Sequence, residues 1–484
     1  MVENVALAAL RRALPLEVVD ESPAGRARAS VDNLRLQRLP AVVLRPRDED
    51  DVGTILRLAN THRVPVTTRG AGSATTGSAT PLEDGWALDL SAWKNVQIDP
   101  VAMLGYVQPG ITVNELDAAA REHGLFYPPD PGSKKWATIG GTIACNAGGF
   151  RGAKYGVTRD YVMALEGFLP TGEFVRWGAD VKKYAAGYNV RDLWIGSEGT
   201  LGVITGAVVK LLPAPAATAT LLARFPDEAA ALDAVEAILR ARLVPSILEF
   251  LDRQTVGCLR AEAAKLAPEV VQLLGDAQGD DPAVLLIEVD GPASDVAEAK
   301  ARVEQLLREA GGDFLTAANA DQAETFWAVR RLSSRSMFRL ADTKLNEDVV
   351  VPWRSYRALL DYTVRLKAET GLHTPTFGHA ADGNFHVHIM YNHGDAAARA
   401  QASTAIQALM EKVIELGGVI SGEHGVGLAK SPFFRLQHSP AEISAMQAIK
   451  KALDPNGVLN PDKIFTPFDV WEHERATVHL PWDH

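Results

Sequence analysis

The chain has 484 residues, 47% hydrophobic and 23% charged, so it is long enough for two or three domains with their own cores and is not generally disordered. Its 49 lysines and arginines against 60 aspartates and glutamates leave a formal net charge of −11, which disfavours nucleic acid as a partner. Two cysteines, Cys145 and Cys258, are too few for a disulfide framework or a cysteine-ligated metal cluster, and they favour a reducing compartment.

The N-terminal residues 1–36 are predicted to be a helical segment. Their apolar stretch stops at Arg11 and Arg12, which is not the pattern of a secretory signal. No stretch of the chain approaches the 18 uncharged apolar residues of a transmembrane helix. We therefore expect a soluble, cytoplasmic protein, with peripheral contact at the inner membrane left open.

Residues 37–214 are predicted to form a first domain. Short strands at 42–45 and 64–68 flank a helix, and further β-branched runs follow. A later helix is predicted to begin at Thr112, where Glu115 completes a capping box.

A Pro- and Ala-rich stretch at 211–218 is typical of a domain boundary, and residues 215–420 are predicted to form a second domain. Two successive strand–helix–strand units follow the boundary, which favours a ferredoxin-like α+β layer. The four strands are predicted at 219–225, 246–252, 283–290 and 314–317.

Three segments of small residues lie in the first domain, at 69–81, 128–149 and 195–205. Such segments let backbone N–H groups approach a pyrophosphate, because no Cβ atoms block the way. Their spacing is neither GxGxxG nor GxxxxGK[ST], so a dinucleotide-binding Rossmann fold or a P-loop is not supported. Each segment alone could equally be a cluster of structural turns or a phosphate-binding site, but the three together predict a large bound nucleotide cofactor.

A cluster of potential metal ligands lies near the C-terminus, with His379, His386, His388, Glu423 and His424 within 46 residues. The DG pair after His379 favours a chain reversal that brings His379 near His386. Two imidazoles and one carboxylate suit a catalytic divalent metal, and zinc or manganese better than calcium or copper. The alternative is a set of core histidines bonded to backbone.

Residues 41–213 resemble the FAD-binding domain of the vanillyl-alcohol oxidase and p-cresol methylhydroxylase superfamily, through VPVTTRGAGS, PPDPGSKKWATIGGTIACNAGG and YNVRDLWIGSEGTLGVIT. The motifs FGHAADGNFHVHI, SGEHGVGLAK and LDPNGVLNPDKIF resemble the FAD-linked C-terminal domain of 2-hydroxyacid dehydrogenases, the group of the glycolate oxidase D subunit and D-lactate dehydrogenases. The resemblance implies an α+β protein with a PCMH-type FAD-binding domain and a ferredoxin-like substrate or cap domain. It also implies a C-terminal segment, residues 421–470, that completes the active site and the FAD domain, while the tail 471–484 has no predicted role.

The resemblance implies that FAD contacts all three small-residue segments and one late position. The first segment is expected at the pyrophosphate and the second beside the isoalloxazine and ribityl parts, while Glu198, Gly202 and Ile204 are expected near the adenosine end and Asn460 near the ring. Relatives that bind FAD covalently use a histidine in the first segment, and residues 69–80 contain neither His nor Cys, so we expect non-covalent FAD. The full set of implied FAD contacts is Arg69, Gly70, Ala71, Gly72, Ser73, Gly77, Pro129, Asp130, Ser133, Thr138, Gly140, Gly141, Asn146, Gly149, Glu198, Gly202, Ile204 and Asn460.

For the metal, the resemblance implies His379, His386 and Glu423 as ligands and His424 as the catalytic base. Neighbouring residues of an extended segment point to opposite sides, which would let Glu423 face the metal and His424 the substrate. A supporting role for His388 and no role at all are equally open.

Arg330 is the candidate for binding a substrate carboxylate, because FWAVRR (326–331) matches the family's aromatic–Trp–x–x–Arg element and arginine offers fork geometry. Arg331 is its rival, and a surface arginine pair at a helix end is the structural alternative. Lys344 and Asn346 are weaker candidates for the substrate site.

The expected reaction is oxidation of a 2-hydroxy acid such as glycolate or D-lactate to the 2-oxo acid, with hydride transfer to flavin N5. The alternatives are an FAD-dependent non-redox exchange enzyme of ether-lipid synthesis and a flavin-binding subunit that needs partners. The electron acceptor is left open among oxygen, a quinone, an electron-transfer flavoprotein and an iron–sulfur partner subunit. The oligomeric state is open as well, a homodimer included.

Overall fold

The computed structural model of the chain describes residues 5–275 and 281–483. Its strands are β1 Val19–Asp20, β2 Val42–Leu44, β3 Val66–Arg69, β4 Trp86–Asp89, β5 Val96–Asp99, β6 Leu104–Val107, β7 Leu125–Phe126, β8 Val162–Phe168, β9 Phe174–Gly178, β10 Val203–Lys210, β11 Leu212–Pro213, β12 Ala217–Phe225, β13 Ile247–Leu251, β14 Ala283–Gly291, β15 Asp313–Thr316, β16 Thr343–Val350, β17 Thr376–His379 and β18 Asn384–Tyr391. Its α-helices are α1 Val5–Ala13, α2 Pro23–Ala29, α3 Glu49–His62, α4 Val113–Arg121, α5 Ile139–Cys145, α6 Gly152–Tyr155, α7 Val190–Trp194, α8 Glu228–Arg240, α9 Arg253–Leu259, α10 Pro268–Leu274, α11 Ala293–Glu309, α12 Ala320–Ser336, α13 Tyr356–Thr370, α14 Ala396–Glu415, α15 Phe434–Gln437 and α16 Pro440–Leu453.

The chain divides into two compact units. The first comprises residues 1–148, 156–214 and 423–484, and the second comprises 149–155 and 215–422. Neither the short excursion at 149–155 nor its place in the second unit is visible in the sequence pattern. Within the described residues, no helix is both long and apolar enough to cross a membrane.

The first unit contains two larger sheets. In the four-stranded sheet β1-β2-β4-β3, β2 and β3 both lie parallel to β4, as the predicted strand–helix–strand start requires. The other sheet, β5-β6-β10-β8-β9, is antiparallel throughout. All three residues of β2 are fully buried, the pattern of a parallel strand covered on both faces.

Side-chain caps decide where two helices of this unit begin. Asp48 accepts a hydrogen bond from Asp51 N at 3.0 Å and starts α3, which ends at Arg63 in the left-handed conformation. The predicted capping box of α4 is confirmed: Thr112 Oγ1 accepts from Glu115 N at 3.1 Å, and Glu115 Oε2 accepts from Thr112 N at 2.8 Å.

The second unit is built on one seven-stranded antiparallel sheet in the order β15-β12-β14-β13-β17-β18-β16. Its first four strands in the chain stand in the order fourth, first, third, second, which is the ferredoxin-like arrangement that the sequence predicts. The sequence did not predict that β17, β18 and β16 continue the same sheet beyond β13. That continuation carries two of the candidate metal ligands, His379 and His386.

The C-terminal tail, which has no predicted role, packs against residues 33–36 of the same unit. Trp482 Nε1 donates to Asn33 Oδ1 at 3.0 Å, and Arg35 Nη1 donates to the carbonyl of Val478 at 2.8 Å. Leu36 forms an isolated β-bridge with Arg475. The tail is thus part of the packed structure of the first unit.

A pH-dependent contribution to stability is predicted at Asp252, the buried cap of α9, which accepts from Thr255 N at 2.8 Å. Burial raises the pKa of this carboxyl from 3.8 to about 7, so the folded protein holds the proton in a pH range where the unfolded chain releases it. Folded stability therefore falls as pH rises from about 4 to 7. Asp252→Asn should remove this loss and be more stable than wild type at pH 8, by about 1 kcal/mol or more.

The measurement is urea unfolding of wild type and Asp252→Asn between pH 4 and pH 8. The control is Asp227→Asn, because Asp227 caps α8 in the same way, accepting from Ala230 N at 2.8 Å, but is exposed. A stability difference for Asp252→Asn that does not change with pH would contradict the prediction.

Candidate functional site

The first small-residue segment follows β3 directly and leaves a run of backbone donors unused. Within the described parts of the chain, the N–H groups of residues 70–78 donate no hydrogen bond to the protein. Gly72 and Gly77 have φ angles of +73° and +83°, which favour glycine and turn the loop. Consecutive free N–H groups on residues without bulk are what an anionic group such as a pyrophosphate needs.

The side chain of Arg69 shapes this segment from behind. It is buried, and its Nη1 donates to the carbonyl of Ala29 at 2.6 Å and to that of Val31 at 3.3 Å. A Cβ on Gly72 would lie 2.1 Å from Arg69 Nη2, and the positive φ at this position favours glycine as well. The Arg69 side chain therefore holds the start of the segment.

The second segment lies against the first at Gly70 and against Pro109 at Gly140. A Cβ on Gly70 would lie 2.1 Å from Thr138 Oγ1, and one on Gly140 would lie 2.6 Å from Pro109 Cβ. Thr138 is the N-cap residue of α5, and Asn146 ends this helix with a φ of +55° while its Oδ1 accepts from Arg159 N at 3.0 Å. Close backbone approach is thus built into this segment.

The remaining predicted residues of the second segment occupy varied positions. Pro129 and Asp130 are buried, and Asp130 Oδ1 pairs with Lys134 Nζ at 2.8 Å. The carbonyl of Ser133 accepts from the backbone N–H groups of the turn that follows it. Gly149, with a φ of +140°, belongs to the second unit.

In the third segment, Gly202 has a packing role. A Cβ there would lie 2.2 Å from the Trp194 ring, which overlies this position. Ile204 is a buried residue of β10, next to a bulge between Ile204 and Gly206. Fold requirements alone explain the glycine at 202.

Glu198 connects the third segment to the loop that carries Glu423 and His424. Its carboxylate is buried and accepts from Val426 N and Gly427 N, both at 2.8 Å. Burial raises the pKa of Glu198 to about 7. Its backbone is left-handed, with a φ of +53°, which turns the carboxylate into the loop.

The backbone of this loop is held from the first and second segments as well. Cys145 Sγ donates to the carbonyl of Glu423 at 3.2 Å, and Thr76 Oγ1 donates to that of His424 at 3.3 Å. Residues 422–424 form a bend. The expected extended conformation at Glu423 and His424 is therefore wrong, because these hydrogen bonds curve the chain.

Asn460 ties the first and third segments together. Its Nδ2 donates to the carbonyls of Ser78 at 2.8 Å and Glu198 at 2.7 Å, and its Oδ1 accepts from Thr67 Oγ1 at 3.0 Å. The side-chain amide donors are thus used within the protein.

In the second unit, the predicted reversal between His379 and His386 is confirmed. Strands β17 and β18 form a hairpin in which His379 lies opposite Asn384 and Phe377 opposite His386. The two imidazole centroids are 5.5 Å apart, and a ring nitrogen of each lies within 4.8 Å of one on the other. Both side chains are buried.

Glu249 is a buried acidic residue of this site that the sequence analysis missed. It lies on β13 directly opposite His379, and its Oε1 contacts His379 Nδ1 while its Oε2 accepts from Arg330 Nε at 2.6 Å. Burial alone would raise its pKa, but the charges of His379 and Arg330 outweigh burial and lower it. The LEFLD sequence around it reads as an ordinary buried strand, so no local signal marks Glu249.

The structure separates Arg330 from its rival Arg331. Arg330 is buried on α12, with its Cζ 3.9 Å from the ring centroid of Phe377 and 5.1 Å from that of Phe150. The side chain of Arg331 is half exposed and pairs with Glu324. Of the two arginines, only Arg331 therefore lies at the protein surface, as the structural alternative had both of them do.

The weaker candidates line β16 and its neighbour β18. Lys344 Nζ donates to the carbonyl of Ser334 at 2.9 Å, and burial, followed by the charge of Arg330, lowers its pKa to about 8. Asn346 lies opposite His388 in the sheet. His388 Nδ1 contacts the Pro375 carbonyl at 3.0 Å and its ring packs on Phe377, contacts that a core histidine makes.

Comparison with known proteins identifies the class. Residues 40–178 match the family described as "FAD binding domain", and residues 214–464 match "FAD linked oxidases, C-terminal domain". Together with the unused N–H groups of the first segment, the matches define an FAD-binding oxidoreductase.

The chain belongs to the family of FAD-linked oxidases. It is 38% identical to glycolate oxidase subunit GlcD of Bacillus subtilis over 93% of this chain and 94% of the relative, and 35% identical to D-lactate dehydrogenase of Anaerostipes hadrus over 88% and 89%. Its fold is similar to that of p-cresol methylhydroxylase, with a TM-score of 0.80, 17% identity and coverage of 96% and 97%. The predicted family and α+β fold class are confirmed.

We predict that FAD is bound without a covalent bond, because residues 69–80 offer no histidine or cysteine to attach it. Acid precipitation of the purified flavoprotein should leave all of the yellow colour in the supernatant, measured by absorbance. Flavin that stays with the precipitated polypeptide would contradict the prediction.

Proposed function

We propose that this protein oxidises a 2-hydroxy acid to the 2-oxo acid, and that a bound divalent metal assists removal of the hydroxyl proton. The observation that carries the proposal is the buried cluster of Arg330, Glu249 and His379, with His386 beside it. A buried arginine that lies among potential metal ligands can bind a carboxylate next to a reacting hydroxyl. Glycolate and lactate, in the names of the relatives, are both 2-hydroxy acids.

Arg330 is proposed to bind the substrate carboxylate. Its Nε is taken by Glu249, which leaves Nη1 and Nη2 as a two-pronged donor. The aromatic rings of Phe377 and Phe150 exclude water from the guanidinium and strengthen its interaction with an anion. Lys344, in the same unit, adds positive charge beside Arg330.

His424 is proposed as the base that takes the hydroxyl proton, since a neutral imidazole can accept a proton near neutral pH. The FAD cofactor, when bound, supplies a two-electron acceptor for the α-hydrogen, which leaves the carbon as a hydride. The hydrogen bond from Thr76 to the His424 carbonyl supports this role, because it fixes the backbone that carries the imidazole.

His379, His386 and Glu423 are proposed as the metal ligands. The contact of His379 Nδ1 with a carboxylate supports this assignment, because metal-bound histidines usually donate their other N–H in this way. Gly422 N donates to Asp348 Oδ2 at 2.9 Å, and Asp348 lies opposite His386 in the sheet, so this hydrogen bond anchors Gly422 within the second unit. A zinc or manganese ion held there would lower the pKa of the substrate hydroxyl.

The two-electron oxidation also needs a final electron acceptor. We propose that it lies outside this chain and is oxygen, a quinone, an electron-transfer flavoprotein or an iron–sulfur subunit. The word "subunit" in the name of the Bacillus subtilis relative supports a multi-subunit enzyme. With Cys145 and Cys258 alone, the chain does not ligate an iron–sulfur cluster through cysteine.

The proposed function predicts that 2-hydroxy acids bleach the flavin when oxygen is absent. Glycolate, both enantiomers of lactate and D-2-hydroxyglutarate should be tested with the metal-loaded flavoprotein by anaerobic stopped-flow absorbance. Propionate, which has the carboxylate but no hydroxyl, is the control and should leave the flavin oxidised. If none of a broad panel of hydroxy acids reduces the flavin, the proposal is wrong.

A second prediction distinguishes the base from the metal ligands. His424→Ala should keep metal and FAD and slow flavin reduction about 10²–10⁴-fold, because general base catalysis is typically worth that much. His386→Ala and Glu423→Ala should instead lose metal while they keep FAD.

Metal content is measured in the same samples by plasma mass spectrometry. Loss of metal in His424→Ala together with its retention in Glu423→Ala would reverse the assignment. Full activity of a metal-free preparation would exclude the metal from the reaction.

A further inference from the structure

We propose that Glu249 is a positioning residue that orients His379 and Arg330 together, so that one carboxylate aligns a metal ligand and the substrate-binding arginine. The inference rests on the proposed function. Glu249 is not a catalytic residue in this scheme, since it acts only through His379 and Arg330.

A role in packing does not explain why a glutamate occupies position 249. The carboxylate is fully buried, and the other four residues of β13 are apolar and buried. An apolar side chain would fill this buried position without the desolvation cost of a charge. An ion pair inside a protein is often no more stabilising than apolar residues of similar size. The carboxylate is therefore better explained by what it holds.

The sheet sets the position of Glu249 relative to His379. The two residues are directly opposite across β13 and β17, and Ala380 N donates to the carbonyl of Leu248 at 2.8 Å beside them. A shift of the register by one residue would turn either side chain to the other face of the sheet. Their contact therefore depends on strand pairing that many backbone hydrogen bonds stabilise.

The contact selects one tautomer of His379. An ionised carboxylate only accepts hydrogen bonds, so Nδ1 carries a proton, and in the neutral imidazole Nε2 then keeps the lone pair that a metal requires. The Phe150 ring, whose centroid is 5.4 Å from that of His379 in an edge-on arrangement, limits rotation of the imidazole. Glu249 thereby prepares His379 for metal binding.

The other carboxylate oxygen fixes Arg330. It accepts from Nε at 2.6 Å while the guanidinium lies over Phe377, so the plane and the direction of the guanidinium are both set. The outer edge, Nη1 and Nη2, is then presented to the substrate. Glu249 thus fixes the position of His379, a proposed metal ligand, relative to Arg330, the proposed carboxylate-binding group. The metal and the arginine are the two points at which a 2-hydroxy acid is proposed to be held.

The test compares two substitutions that separate charge from shape. Glu249→Gln keeps the size but offers one acceptor oxygen to two donors, so either His379 or Arg330 faces an amide NH₂. Glu249→Asp keeps the charge but is shorter by one methylene. A positioning role predicts that Asp retains more function than Gln, whereas a packing role predicts the reverse order.

Two readouts are measured on the FAD-loaded protein. Zinc affinity, from competition with a chromogenic chelator, should be weaker in Glu249→Gln by about 10–100-fold, as found when partners of metal-bound histidines are changed. The KM for the hydroxy acid in flavin reduction should rise as Arg330 loses its orientation, while FAD content stays that of wild type. Glu249→Asp should lie between wild type and Glu249→Gln in both readouts.

Glu288→Gln is the matched control. Glu288 is a buried carboxylate on β14, the strand beside β13, and it accepts from Thr220 Oγ1 at 3.4 Å. It contacts neither histidine in the hairpin, so zinc affinity and KM should not change. Equal effects of the two Gln variants would mean that any buried carboxylate of this sheet matters, which would overturn the proposal.

The behaviour of the wild type distinguishes failure of the proposed role of Glu249 from failure of the proposed metal-assisted function. A wild type that binds zinc and reduces its flavin, together with unchanged zinc affinity and KM in Glu249→Gln, overturns the role of Glu249 alone. A wild type that binds neither zinc nor manganese overturns the metal assignment and this inference with it. Should Glu249→Gln fail to fold, Glu249→Asp decides, since weaker zinc binding at wild-type FAD content supports the role and unchanged binding overturns it.

Discussion

A buried carboxylate must be matched by buried positive groups, and in the second unit this requirement falls on Glu249. Its two partners are distant in the chain, with Arg330 81 positions and His379 130 positions away. Helix α12 can therefore pack on the sheet, and the β17–β18 hairpin can join the sheet beside β13, only where both partners reach the carboxylate, because an unpaired charge there would be costly. The same requirement gathers arginine, glutamate and imidazoles in one place, which is the chemistry of the candidate site.

The first unit meets a different constraint, since it must expose backbone donors without losing its own structure. The N–H groups of residues 70–78 donate no hydrogen bond to the described residues 5–275 and 281–483, and side chains elsewhere hold the segment in shape. Arg69 supports it from below, Asn460 links it to Glu198, and Glu198 in turn holds the loop after His424. The binding surface is thus backbone, while the side chains that shape it face the protein.

The fold does not choose the reaction. A protein of 17% identity, p-cresol methylhydroxylase, has the same fold over nearly the whole chain. This chain carries a set of polar side chains on its seven-stranded sheet and on the helix beside it, with Arg330 and the histidines of the hairpin among them. In this chain the substrate carboxylate and hydroxyl are proposed to bind on this sheet.

The sequence by itself determined the family, the α+β class, the capping box at Thr112 and the approach of His379 to His386, because each of these depends on residues close in the chain or on long contiguous motifs. Only the tertiary structure decided that Arg330 rather than Arg331 is buried in the site, that Gly202 is required by Trp194, and that Glu249 joins Arg330 to His379. The bend at Glu423 was likewise beyond local patterns, since its carbonyl is held by Cys145, 278 residues away. Such contacts arise from strand order and helix docking, which bring distant residues together. The sequence around each residue contains no information about the residue that it contacts.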